Sequence, residues 1–511
     1  ALLDRSRRLR QHDLRSTILL NHNRAHQAPE HFMIFDEYSN YDGLGLADLV
    51  KRGEVSPEDL VESAVSAIER LNPDVNSVPQ VLHDEAKASI KNGVPKGPFS
   101  GVPFLVKEFG MHFKGMKTTA GSRLAAGIQF DDDTELMTRC KTAGFVTVGT
   151  STTPEMAFNV NSEAKVYGST RNPWNLEHSV GGSSGGAGAS VACGMVPIAH
   201  ANDGGGSIRI PAACNGVVGM KPSRGRVPTG PDSGIFLWGL AGEFAVTRSV
   251  RDSAALLDAV SAPDHGYFYT ALPPKRSFLT AAMSPPQTLR IGVIDKLPGS
   301  GKIAREHRAR LNDTRVLLED LGHITESVSL NYDAESFNDS SIKLWATTLG
   351  YYMEAFSRIT KRKISAKTVE AVTLKVYRHA KKIKAIEMEA AMATQNKVSR
   401  HVGEVMKDYD VLLTPGLARD VAKLGEFNQD ARNVDAPGWW HQMMYDYSPF
   451  TALFNTTGQP AVMLPLWQSK AGLPLAMQFV GRLADEETLY SLAGQLEQAK
   501  PWAGRRPTHY A

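Results

Sequence analysis

GGSSGGAGASVACGMVPIAHANDGGGSIRIPAACNGVVGMKPSRGR, residues 181–226, is the stretch whose reading decides this chain. It holds two serine-centred glycine clusters, 181–186 and 204–207, with Ser183 and Ser207 24 positions apart. Glycine weakens regular structure, so this density marks backbone that turns sharply or approaches a ligand. Three glycine N–H groups ahead of Ser207 can form an anion-binding nest. A nucleophile beside such a nest points to acyl transfer.

Working outward, Ser56-Pro57-Glu58-Asp59 reads as a helix start, with an N-cap serine, proline at the first turn and acids behind it. Leu60, Val61, Ala64, Val65, Ile68 and Leu71 then recur at helical period, and Asn72-Pro73 is expected to stop the helix. The apolar run 102–106 reads as a buried strand that delivers Lys107 at its end. A helix is expected over 135–142, and strands over 145–148, 289–294 and 411–413. Asp485-Glu486-Glu487 opens a last helix with Leu489, Leu492, Ala493 and Leu496 on one face. Strands alternating with helices predict an α/β domain. The Pro/Ser/Ala-rich segment 261–287 reads as a surface connection, and 303–408 as largely helical and more charged.

These motifs resemble those of the amidase signature family. Its GGSSGG cluster, its D-x-G-G-S-[IV]-R-x-P cluster and its G-[LVM]-K-P correspond here to residues 181–186, 203–211 and 219–222. Gly101-Val102-Pro103-Phe104-Leu105-Val106-Lys107-Glu108 is similar to the family's G-x-P-x-x-x-K-[DE]. Similarity continues through 149–155 to 472–481, so the resemblance covers roughly residues 44–500. It implies an α/β fold with a large mixed β-sheet sandwiched between helices. It also implies a single domain over 44–505, in which a variable region at about 303–408 forms part of the pocket, after an N-terminal extension over 1–43.

Amide hydrolysis without a metal needs a nucleophile, a base, an oxyanion site and a proton for the leaving amine. The resemblance implies Ser207 as nucleophile, Lys107 as base and Ser183, behind a cis peptide bond, as the bridge between them. The N–H groups of Gly204, Gly205, Gly206 and Ser207 are the expected oxyanion donors, and Ser184 a hydrogen-bonding neighbour in the loop. Lys107 can act only when neutral, so burial must depress it from a reference value of about 10.4. Asp203 and Arg209 are read as holding the glycine loop and the helix start, and Lys221 as structural. Family members carry a bulkier residue at one of the positions of Gly204 and Gly205, so the loop here is expected to be wider or more mobile.

Within the family, segments 169–175 and 450–461 look most like free amidases acting on aryl, cyclic or nylon-type amides, with carbamates and esters as further candidates. Trp439, Trp440, Met444, Tyr447 and Phe450, with Met443 and Tyr445 beside them, form an aromatic and methionine cluster suited to an apolar acyl chain, or to ordinary core. The alternatives are a partner-dependent glutamine-hydrolysing amidotransferase subunit and a catalytically weak binding protein of the same fold. A nucleophile elbow centred on Ser184 with His441 would leave Lys107 and Ser207 unexplained. No P-loop pattern is present.

Composition is ordinary for a soluble globular protein: 511 residues, 42% apolar and 22% charged. A net charge of +3 makes no case for nucleic acid. No apolar run reaches the ~18 residues of a membrane span. Cys140, Cys193 and Cys214 have no disulfide or metal spacing and are expected as buried thiols. Neither metal nor organic cofactor is expected; the partners are a small amide and water, and a homodimer is compatible with the sequence. Arg5, Arg7, Arg8, Arg10 and Arg15 crowd the start, followed by His22, His26 and His31, with no metal pattern. No apolar segment of the signal-peptide kind follows them, and the expected location is the cytoplasm.

Overall fold

The computed structural model of the protein describes residues 34–511. The extension residues Arg5, Arg7, Arg8, Arg10, Arg15, His22, His26 and His31 therefore lie outside the described residues. Eleven strands form one mixed sheet. In spatial order they are Gln80–Val81, Val146–Ser151, Pro103–Lys107, Ile198–Asp203, Gly242–Thr247 and Val218–Lys221, then Ala461–Gln468, Pro474–Gly481, Val411–Pro415, Arg290–Val293 and Ile324–Ser327. Fifteen α-helices among the described residues sandwich it. Pro103–Lys107 runs parallel to both its neighbours, while the six strands from Ile198–Asp203 to Val411–Pro415 pair antiparallel in succession.

The central strands are apolar on both faces because helices cover both. Phe104, Leu105 and Val106 are buried, as are Val411, Leu412, Leu413, Phe479 and Val480. Near-continuous apolar runs are the signature of such doubly covered strands. Helix Gly185–Ala192, built of Gly, Ala, Ser and one Val, is buried throughout. Small side chains let its backbone lie close to the sheet.

Most local expectations hold within a residue or two. Ser56 caps helix Pro57–Val75 through a reciprocal box with Asp59. The helix runs past Asn72-Pro73 to Val75 and ends at Asn76 in the left-handed region, at φ 52°. Pro73 removes one N–H in the last turn without breaking the turns before it. The 303–408 region contains helices Arg305–Asp320, Ala334–Thr360, Ala371–Ala380 and Ala385–Val405, but also the edge strand Ile324–Ser327. Segment 261–287 contains the short helix Phe278–Ala282. Among the described residues no helix is long and apolar enough to cross a membrane. The three cysteines are free and buried.

Replacing Ser56 by Ala removes the cap acceptor and is expected to lower stability by about 1 kcal/mol in denaturant unfolding, with the same midpoint slope.

Candidate active site

Because strands Pro103–Lys107 and Ile198–Asp203 are parallel neighbours, their C-terminal residues Lys107 and Asp203 emerge at the same edge of the sheet. The 181–184 loop crosses this edge, with a cis bond between Gly182 and Ser183. The 204–207 loop leads from Asp203 into helix Arg209–Asn215. The backbone N–H of Ser184 donates to the Ser207 carbonyl at 3.3 Å, tying the two serine loops together.

Lys107 is fully buried. Its Nζ lies 2.7 Å from Ser183 Oγ, 2.9 Å from Ser184 Oγ and 2.6 Å from Asn202 Oδ1. Ser184 donates its hydroxyl proton to the Asn202 carbonyl at 3.2 Å, so it accepts from Nζ. Asn202 donates its amide N–H groups to the Phe109 carbonyl at 2.7 Å and to Glu243 at 3.3 Å, which fixes Oδ1 toward Nζ. A neutral amine has two N–H bonds and one lone pair. With the two protons directed at Asn202 and Ser184, the lone pair is left for the Ser183 hydroxyl. Burial lowers Lys107 to about 7, against the carboxylates of Glu243 and Asp203, which raise it.

The glycine loop is built around Asp203. Its carboxylate accepts N–H bonds from Gly206 at 2.7 Å and Ile208 at 3.1 Å. The Arg209 guanidinium grips it through Nε and Nη2, both at 2.9 Å, and both partners are wholly buried. Burial opposes ionisation of Asp203, yet Arg209 and Asn455 hold the carboxyl well below the usual carboxylate range. Arg209 also donates to the Thr451 carbonyl, Gln478 and Asn455. The Gly206 N–H is thereby committed to Asp203. Among the described residues the N–H groups of Gly205 and Ser207 have no acceptor, which leaves them available to an oxyanion. Gly206 sits at φ 138°, and a Cβ there would fall 2.5 Å from Thr451 Oγ1.

Ser183, Asn202, Gly204 and Ser207 open onto one cavity of about 30 Å³. Its apolar wall is Phe109, Phe236, Leu237, Trp345, Leu349 and Tyr352. A larger chamber of about 110 Å³ shares Phe109, Phe236 and Tyr352 with it and continues over Met111, Ile128, Phe130 and Phe356. Of the aromatic cluster expected from sequence, Trp440 and Met444 approach Gly205, whose Cβ would lie 3.6 and 3.7 Å from them. Trp439, Tyr447 and Phe450 are buried in the core: Trp439 stands edge-on to Phe427, and the Tyr447 hydroxyl bonds Cys214 and the Ala422 N–H. Sequence reasoning missed Asn202 and the wall residues of helix Ala334–Thr360. The signal was present in Trp345, Thr348, Leu349 and Tyr352, which follow i, i+3, i+4, i+7 spacing and so share one helix face. Lys221, also buried, donates to the Pro222 carbonyl and does not line the cavity. Among the described residues no group of three or more His, Cys, Asp or Glu side chains is arranged to hold a metal ion.

A buried lysine, two serines and a glycine loop thus meet at one edge of a mixed sheet. The family described as Amidase matches residues 59–490, and the chain belongs to this amidase signature family, whose members hydrolyse amide C–N bonds through an acyl-enzyme. The 6-aminohexanoate-cyclic-dimer hydrolase of Pseudomonas sp. (strain NK87) is 34% identical over 91% of this chain and 96% of its own length. A solved structure of a 6-aminohexanoate cyclic dimer hydrolase superposes with a TM-score of 0.87 at 33% identity, covering 92% of this chain and 99% of that one. A bacterial aryl acylamidase structure gives 0.80 at 26% identity, covering 91% and 97%.

Arg209→Met strands Asp203 in the interior and is expected to destabilise the fold by roughly 3–5 kcal/mol, measured by chemical denaturation. Gly206→Ala puts a Cβ within 3 Å of the buried Thr451 and Ile210 side chains at a positive φ, so it should cost about 1–3 kcal/mol in chemical denaturation as well as most of the activity, because the loop that carries Ser207 must shift.

Proposed function

We propose that the protein hydrolyses uncharged, hydrophobic or aryl amides, linear or cyclic, through an acyl-enzyme on Ser207. The observation that carries this reading is the proton arrangement at Lys107, whose third position faces Ser183 at 2.7 Å. Ser207 Oγ attacks the carbonyl carbon as its proton passes to Ser183 Oγ and the Ser183 proton passes to Lys107 Nζ. The carbonyl π electrons move to oxygen, which accepts hydrogen bonds from the N–H groups of Gly205 and Ser207 in this reading. Collapse breaks the C–N bond. The departing amine takes a proton from Ser183, which Lys107 replenishes. Water then cleaves the ester by the reverse relay.

The preference for apolar arms rests on the walls. Phe109, Phe236, Trp345 and Tyr352 give a flat aromatic lining, and the adjoining chamber extends it with Met111, Ile128 and Phe130. The named activities of the similar proteins, on a cyclic amide dimer and on aryl acylamides, point the same way.

Three outcomes are expected. Across an anilide, an aliphatic amide, a cyclic amide, a carbamate, an ester and glutamine, the apolar and aryl members should be hydrolysed fastest; glutamine at the head of the ranking would overturn the preference. Ser207→Ala should lower kcat by roughly 10³–10⁶-fold. Since only neutral Lys107 can accept the proton, kcat/KM should rise as pH increases through about 7 and fall away below it. A profile flat from pH 5 to 9, or full activity in Lys107→Ala, would remove Lys107 from the reaction.

A further inference from the structure

We propose that Glu243 is a positioning residue for this reaction, closing a buried ring of hydrogen bonds that grips Lys107 at both its backbone and its amino group. The inference rests on Lys107 acting as the base. Glu243 lies on strand Gly242–Thr247, paired antiparallel with Ile198–Asp203, where its register partner is Asn202. The Lys107 backbone N–H donates to His200 Nδ1 at 3.3 Å, so the imidazole proton resides on Nε2. That Nε2 lies 2.6 Å from Glu243 Oε2 and donates to it. The other carboxylate oxygen accepts from Asn202 Nδ2 at 3.3 Å, and Asn202 Oδ1 receives the Lys107 ammonium or amine at 2.6 Å. Thus one carboxylate orients the two side chains, His200 and Asn202, that hold the two ends of Lys107. Gly110 seals the ring: at φ 97°, a Cβ there would lie 2.3 Å from Glu243 Oε1 and 2.5 Å from Asn202 Nδ2.

The ring also places charge. Two carboxylates act on Lys107, Glu243 and Asp203, and Asp203 is already paired with Arg209. Glu243 itself is only 4% exposed and faces His200, Asn202 and the Tyr352 ring, which also feels Asp232 across the chamber. Glu108, next along the chain from Lys107, turns the other way, to Gln80, Thr119, Thr150 and Tyr167. Of the two carboxylates that oppose the effect of burial on Lys107, Glu243 is the one not gripped by a guanidinium, and its charge favours the ammonium form that returns the proton to the leaving amine.

The test is the rate of Ser207 phosphonylation by a fluorophosphonate between pH 5 and 9, which requires no knowledge of the natural amide. Glu243→Gln keeps the shape, removes the charge and exchanges one of the two acceptor oxygens for a donor, the weaker 3.3 Å contact to Asn202 being the one it gives up. The ammonium form loses support, so the acid limb is expected to move to lower pH by about one unit or more. Glu243→Asp keeps the charge but falls short of its partners, so its limb should stay at the native pH while the plateau rate drops several-fold. An unmoved limb in Glu243→Gln overturns the proposal. A displaced limb in Glu243→Asp overturns it independently, which covers a Glu243→Gln protein that does not fold. Failure of the underlying reading looks different: the native protein is not labelled at Ser207, or Lys107→Ala is labelled at the native rate.

Discussion

The buried pair of Asp203 and Arg209 is the constraint on which the site depends. Two fully buried charges are tolerable only when nearly every donor and acceptor is satisfied. Here the carboxylate takes backbone N–H groups from the glycine loop, and the guanidinium reaches Thr451, Asn455 and Gln478. One interaction therefore joins the 204–207 loop, the short helix at Thr451 and the strand Pro474–Gly481, which are far apart in sequence. It also decides which loop amides are free for an oxyanion, because the amides that Asp203 claims are not.

Lys107 shows the complementary logic. A lysine at the end of an apolar strand would ordinarily reach solvent and keep its charge. Here the strand ends beneath the cis loop, so the side chain is enclosed and its amine is brought near neutrality, at about 7. Enclosure alone would also leave a freely rotating amine. Asn202 and Ser184 remove that freedom by taking two of its three positions. Burial sets the protonation, and hydrogen bonds set the direction.

Much of the fold was legible locally. The capping box at Ser56, the helix Glu135–Thr142 and the buried strands around Leu105 and Leu412 follow from residue period and cap chemistry, which are short-range properties. The continuation of the first long helix through Pro73 was not legible, because a proline in the last turn costs only one bond. The cavity walls were harder still. Trp439, Tyr447 and Phe450 were expected at the pocket and Trp345 and Tyr352 were not, since a shared helix face shows that side chains lie together but not whether they meet the core or a cavity.

By itself the sequence determined the α/β class, the two serine–glycine loops, the lysine motif ahead of them and their membership in one family. These are properties of composition, spacing and motif order. Only the tertiary structure decided that Asn202, His200 and Glu243 surround the lysine, that Gly206 turns its N–H to Asp203, and that helix Ala334–Thr360 supplies the wall above Ser207. The physical reason is pairing across the sheet and packing over its edge. Asn202 and Glu243 meet through an antiparallel register 41 residues apart, and Trp345 reaches Gly204 across 141 positions, distances along the chain at which local pattern carries no information.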